Sequence, residues 1–166
     1  MFAQWKKIIA ILSAAALLGL GAKTALAQEH NHAHEHDAGK PALLTLNNGK
    51  KWATDDNLRQ GMSRIRDALS SELPAIHSGK ATAEQYRALA QKTNDQITFM
   101  VKTCKLEQKA DAALHLILVD IIAGTDAMSG QDGSEALKGA EKVVHALDNY
   151  GIYFDHPGWH GVKLSH

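Results

Sequence analysis

The sequence predicts an all-α fold, an up-down-up-down four-helix bundle preceded by a signal peptide and a flexible histidine-rich tether. Three observations predict it. Apolar residues recur at steps of three and four along four stretches of about 20 residues each. Capping residues open these stretches and glycine or proline punctuates their ends. Strand-like alternation is nearly absent from the 166-residue chain.

The first helix follows Thr54-Asp55-Asp56 and carries Leu58, Met62, Ile65, Leu69, Leu73 and Ile76 on one face before His77-Ser78-Gly79. The second opens at Thr82-Ala83-Glu84-Gln85, a capping-box spacing, and aligns Tyr86, Leu89, Thr93, Ile97, Met100 and Cys104. The third begins near Glu107, runs through Ala110, Leu114, Ile117, Ile121 and Met128, and stops at Ser129-Gly130. The fourth starts near Asp132-Gly133-Ser134 and turns Leu137, Ala140, Val144, Leu147, Gly151 and Phe154 inward, with Pro157-Gly158 closing it. Short connections make neighbouring helices antiparallel. Residues 55–166 are thus expected to form the bundle with a C-terminal extension.

The start of the chain has another purpose. Lys6 and Lys7 precede an uncharged apolar run, and Ala25-Leu26-Ala27 follows as a small-x-small triplet. This is the pattern of a secretory signal over residues 1–27, cleaved after Ala27. The apolar run is short for a membrane span of ~20 residues. Export to a periplasm is the expectation. Removing Lys6, Lys7 and Lys23 leaves 15 basic against 18 acidic side chains, a net charge of −3. That balance, like the export, argues against nucleic acid as a partner. A single cysteine, Cys104, rules out an internal disulfide.

Residues 28–54 form the expected tether, with an apolar patch at Leu43-Leu44-Thr45-Leu46 that docks on the bundle. Its first part reads QEHNHAHEHD, and it holds His30, His32, His34 and His36 among the chain's 10 histidines. In an extended chain this spacing puts all four imidazoles on one side. Neutral imidazole is a common ligand for copper, zinc and nickel, and Glu29, Glu35 and Asp37 add charge that favours a cation. Cleavage after Ala27 leaves Gln28-Glu29-His30 at the terminus. The Gln28 amine, two backbone amides and His30 then make a planar four-nitrogen set suited to Cu(II) or Ni(II). The rival reading of the segment is a solvated low-complexity tail.

A second candidate site lies at one bundle end. The start of helix one, the end of helix two, the start of helix three and the end of helix four all meet there. Met62, Met100, Cys104, His115 and His156 are its potential ligands, a soft set that suits Cu(I), or zinc through Cys104 and the histidines. Beside this stands ordinary packing, since methionine and free cysteine are common core residues. Asp111 and His115 share a helical face as a surface pair or half a metal site. Gly-x-Ser-x-Gly, His-Glu-x-x-His and phosphate-loop motifs are missing, so no enzyme activity is expected.

Length, topology, export and Met62 in LRQGMSRIRDAL resemble the soluble periplasmic haem-b four-helix cytochromes. In those proteins a methionine early in the first helix and a histidine late in the fourth hold the iron. The resemblance implies haem b with Met62 as one ligand. Late in the fourth helix the sequence reads HALDNYGIYFDHPGW, with Gly151 and Phe154 inward and His156 at the end. The segments KKWATDDNLRQGM and YGIYFDHPGWH are similar to little-characterised exported proteobacterial helical-bundle proteins, some named after denitrification regulons. That likeness implies a periplasmic bundle and carries no site residue; its motif Asp155-His156-Pro157-Gly158-Trp159 reads as a structural C-terminal lock, which would put Trp52 and Trp159 near one bundle end.

The expected functions are therefore metal handling or buffering through the tail, electron transfer with haem b, or a non-catalytic partner or sensor domain. The last would dock on a periplasmic or membrane-complex protein through a helix face.

Overall fold

The computed structural model describes residues 43–130 and 132–162. Four helices follow one another: α1 (Asp56–His77), α2 (Ala83–Thr103), α3 (Gln108–Ser129) and α4 (Gly133–Tyr153). Among the described residues only two isolated β-bridges accompany them. The signal segment at 1–27, and Gln28, His30, His32, His34 and His36, lie outside the described residues.

Side chains set the helix starts. Asp55 caps α1 by accepting from the Leu58 amide at 2.7 Å. Thr82 and Gln85 form the reciprocal capping box of α2, at 2.9 and 3.2 Å. Asp132 accepts from Ser134 N at 2.8 Å to start α4. Ties between helices show that successive ones run antiparallel. Asn57, early in α1, donates to Thr103 O at the end of α2. Met100 and Cys104 at the end of α2 border one cavity with Asp111 and His115 early in α3, and Gly124 late in α3 faces Gly139 early in α4.

The helices touch in ring order, α3 and α4 most closely and α4 and α1 least. Close approach of α3 and α4 depends on two facing glycines. A Cβ on Gly124 would meet Gly139 O at 2.7 Å, and one on Gly139 would meet Gly124 O at 2.6 Å. The open side between α1 and α4 is a groove of about 190 Å³ lined by Leu73, Ile76, Leu137 and Val144.

The apolar stripes meet in one core. Leu58, Met62, Ile65, Leu69, Ile121 and Leu147 are fully enclosed. Thr93 and Thr125 are buried too, and both are satisfied: Thr93 donates to Leu89 O at 2.9 Å, and Thr125 Oγ1 lies 2.9 Å from Asn94 Oδ1. Leu137, expected inside, is 37 % exposed because it borders the groove left open between α1 and α4.

Helix α4 ends at Tyr153, earlier than Pro157-Gly158 would have it. The segment before α1 explains the difference. Trp52 N donates to Tyr153 O at 2.8 Å, and Asp155 N donates to Trp52 O at 2.8 Å, a parallel bridge between Trp52 and Phe154. The bridge takes up a helix-terminal carbonyl and holds Phe154 extended. Trp52 is buried, and its indole N–H donates to Thr45 O at 2.7 Å. Residues 50–54, read as the last part of the tether, are thus fastened to the bundle. Within the apolar patch Leu44 packs on the core, whereas Leu43 and Leu46 are exposed.

Candidate functional site

Asp55 organises the bundle end that was expected to gather ligands. One carboxylate oxygen caps α1 and the other accepts from Lys105 N at 2.6 Å, tying α1 to the α2–α3 connection. Cys104 is the C-cap of α2, its amide donating to Met100 O at 2.9 Å. Its thiol is half-buried beside Asp55. Burial above all, then the Asp55 charge and hydrogen bond and the Asp111 charge, push the thiol up to about 12. Cys104 is therefore a protonated thiol at neutral pH, with little nucleophilic or ligand character until a cation displaces the proton.

Met100, Cys104, Asp111 and His115 line one cavity of about 170 Å³. His115 is on the exposed rim, with Nδ1 2.8 Å from Asp111 O and 3.5 Å from Asp111 Oδ2. That occupies Nδ1 and leaves Nε2 as its free ligand atom. Met100 is buried with its thioether against the α1 backbone, where a Cβ on Gly61 would collide with Met100 Cγ and Sδ. Three of the five soft-ligand candidates thus share a cavity. Met62, fully buried in α1, and His156 do not line it. Among the described residues no group of three or more His, Cys, Asp or Glu is arranged to hold a metal ion.

His156 lies beyond α4 in an aromatic cluster. Its Nδ1 is 2.9 Å from the Tyr150 hydroxyl, and its ring is tilted against Trp159 at 5.0 Å between centroids. Trp159 meets Tyr150 edge-on at 4.8 Å and carries the Arg66 guanidinium 5.2 Å from its ring centre. Burial, then repulsion from Arg59 and Arg66, lowers the His156 pKa below its ordinary 6.5. Burial likewise raises the Tyr150 pKa, so the phenol keeps its proton and donates to Nδ1.

These contacts also bear on haem. The α4 sequence contains one histidine, His145, and it is exposed; Tyr150 and Phe154 fill the inward positions near the helix end. The inward imidazole that the cytochrome resemblance implies opposite Met62 therefore has no counterpart in α4.

Sequence reasoning passed over Asp55 as a link between helices and Tyr150 as the partner of His156. The clustering of aromatics in NYGIYFDHPGW was the available signal for the second.

The class these observations define is a four-helix bundle with a docked N-terminal strap. Comparison with family models, curated proteins and solved structures finds no match to the chain.

Proposed function

We propose that this is an exported, non-catalytic metal-binding protein that handles or buffers copper, zinc or nickel in the periplasm through residues 28–37, with the bundle as its carrier. The carrying observation is the run His30, His32, His34, His36 with Glu29, Glu35 and Asp37 between and beside them. Such a segment needs no fold to bind a cation, because extended backbone already aligns alternate side chains.

The first-filled site is the four-nitrogen set of the Gln28 amine, two backbone amides and the His30 imidazole, with His32, His34 and His36 as weaker sites. The test is to determine the terminus of the exported protein by mass spectrometry and to titrate it with Cu(II) at neutral pH. A free Gln28 and one tight site lost in His30→Ala support the assignment. A different terminus, a cyclised Gln28 or an unchanged first site in His30→Ala contradicts it.

A second soft-metal site is supported by the cavity that Met100, Cys104 and His115 share. Cu(I) bound there would displace the thiol proton and protect Cys104 from alkylation. Failure of Cu(I) to protect Cys104 removes this second site and leaves the first untouched. Of the alternative readings, a haem-b carrier would purify with a strong visible absorption band. A partner or sensor domain would keep its activity after loss of residues 28–37.

A further inference from the structure

The outer face of α3 carries a second seam that the bundle does not use. Lys109, Ala112, Leu116, Val119, Ala123 and Asp126 succeed one another at alternating steps of three and four, the spacing of the two inward positions of a heptad. Leu116 is half-buried and the other five are exposed, Val119 by 63 %. The core-facing residues Ala110, Leu114, Ile117 and Ile121 occupy the opposite side. An ordinary bundle helix is polar on its outer face. Helix α3 departs from that: only 44 % of its most apolar stretch is buried, and Val119 and Ile122 are exposed on its outer side.

The geometry points to this seam as an antiparallel, two-fold contact with α3 of a second copy of the same chain. Setting two copies head to tail places Leu116 against Val119 of the second copy, Ala112 against its Ala123, and Lys109 against its Asp126. Every pair is centred on the same point, between Ile117 and Leu118, so all the layers come into register together. The layers also join the two different heptad positions, as antiparallel helix pairs require.

Charge selects this orientation. A parallel pair would stack Lys109 on Lys109 and Asp126 on Asp126, whereas the antiparallel pair matches opposite signs at both ends. Neither residue has an ion-pair partner among the described residues. Size fits as well, since alanine in the outer layers lets the helices approach and the larger Leu116 and Val119 fill the middle.

The surroundings extend the contact. A groove of about 300 Å³ runs between α3 and the strap, bordered by Leu43, Trp52, Ala112 and Leu116. Leu43, 77 % exposed, overhangs one edge of the seam, and Ile122, 41 % exposed, flanks it on the surface of α3. A seam of about five helical turns is ~26 Å long and about one helix diameter, ~10 Å, wide, so it covers roughly 260 Å² per partner against the ~800 Å² of a standard interface. The dimer is accordingly a reversible one.

The test is sedimentation equilibrium of the exported full chain from roughly 1 to 500 µM, with a chelator present so that metal cannot bridge two histidine segments. The expected result is a mass that rises toward twice the monomer value. Val119→Lys should abolish the rise while leaving the helical circular dichroism unchanged. Lys109→Asp and Asp126→Lys should each weaken association at least about tenfold, because each creates two like-charge contacts per dimer. Combining them in one chain should restore it. A monomer at every concentration, association indifferent to Val119→Lys, or failure of the combined variant to recover overturns the proposal. Monomeric protein that binds phosphatidylglycerol vesicles through Val119 overturns it too, and assigns the face to lipid.

Discussion

Tyr150 Oη and His156 Nδ1 stand 2.9 Å apart, joining the last turn of α4 to the segment that folds back over it. The bond needs a neutral imidazole, which burial and the charges of Arg59 and Arg66 favour by depressing the His156 pKa. As pH falls, the unfolded histidine takes up its proton first, near 6.5, so the folded state loses stability from there down to the lower folded value. Above 6.5 the contribution is fully present.

His156→Gln should therefore cost about 0.5–1.5 kcal/mol at neutral pH, and the difference in Tm from the parent should shrink near pH 5. Thermal unfolding of both proteins at the two pH values checks this. A gap that stays constant or widens in acid contradicts it.

Cys104 should react slowly. With its thiol pushed up to about 12, alkylation at mildly alkaline pH should lag well behind that of a small free thiol and accelerate as pH rises. Asp55→Asn keeps a capping side chain while removing the neighbouring charge, so it should raise the rate. Alkylation as fast as a free thiol, and indifferent to Asp55→Asn, would show the environment to be otherwise.

Gly124→Ala and Gly139→Ala should each destabilise the bundle. Helix propensity alone favours alanine by ~1 kcal/mol, but the added Cβ atoms would press on the facing helix backbone at 2.7 and 2.6 Å. Forced separation of tightly packed elements costs ~1–3 kcal/mol. Since both substitutions act on one contact, the double variant should lose less than the sum. Denaturant midpoints decide the matter, and alanine variants as stable as the parent contradict the close contact.

Ile121→Ala and Leu147→Ala, both at fully buried positions, should each cost ~2–5 kcal/mol. Leu137→Ala, at a position 37 % exposed, should cost clearly less. Equal losses at all three would contradict the burial pattern.

Periodicity exposed the core because one buried face imposes a regular spacing, and the stripe from Leu58 to Ile76 shows how directly it can be read. The same periodicity misplaced Leu137, since spacing marks a face of α4 but not how far α1 stands from it across the open groove. It also ran α4 past Tyr153, because the residue that captures the Tyr153 carbonyl is Trp52, about a hundred positions earlier. Met100 and Cys104 were legible as neighbours from their four-residue separation. The pressure of Asp55 on the Cys104 thiol was not, because it arises where two distant connections meet. On α3 the inward stripe is the more hydrophobic of two, and it masks the outer one.

The proposed metal binding rests on the histidine segment. The direct measurement is calorimetric titration of the exported, chelator-stripped protein with Cu(II) and Zn(II), beside a variant with His30, His32, His34 and His36 all replaced by alanine. The variant should keep its helical circular dichroism and lose at least about tenfold in affinity for the first ion. Equal affinity and stoichiometry in the two proteins would contradict it.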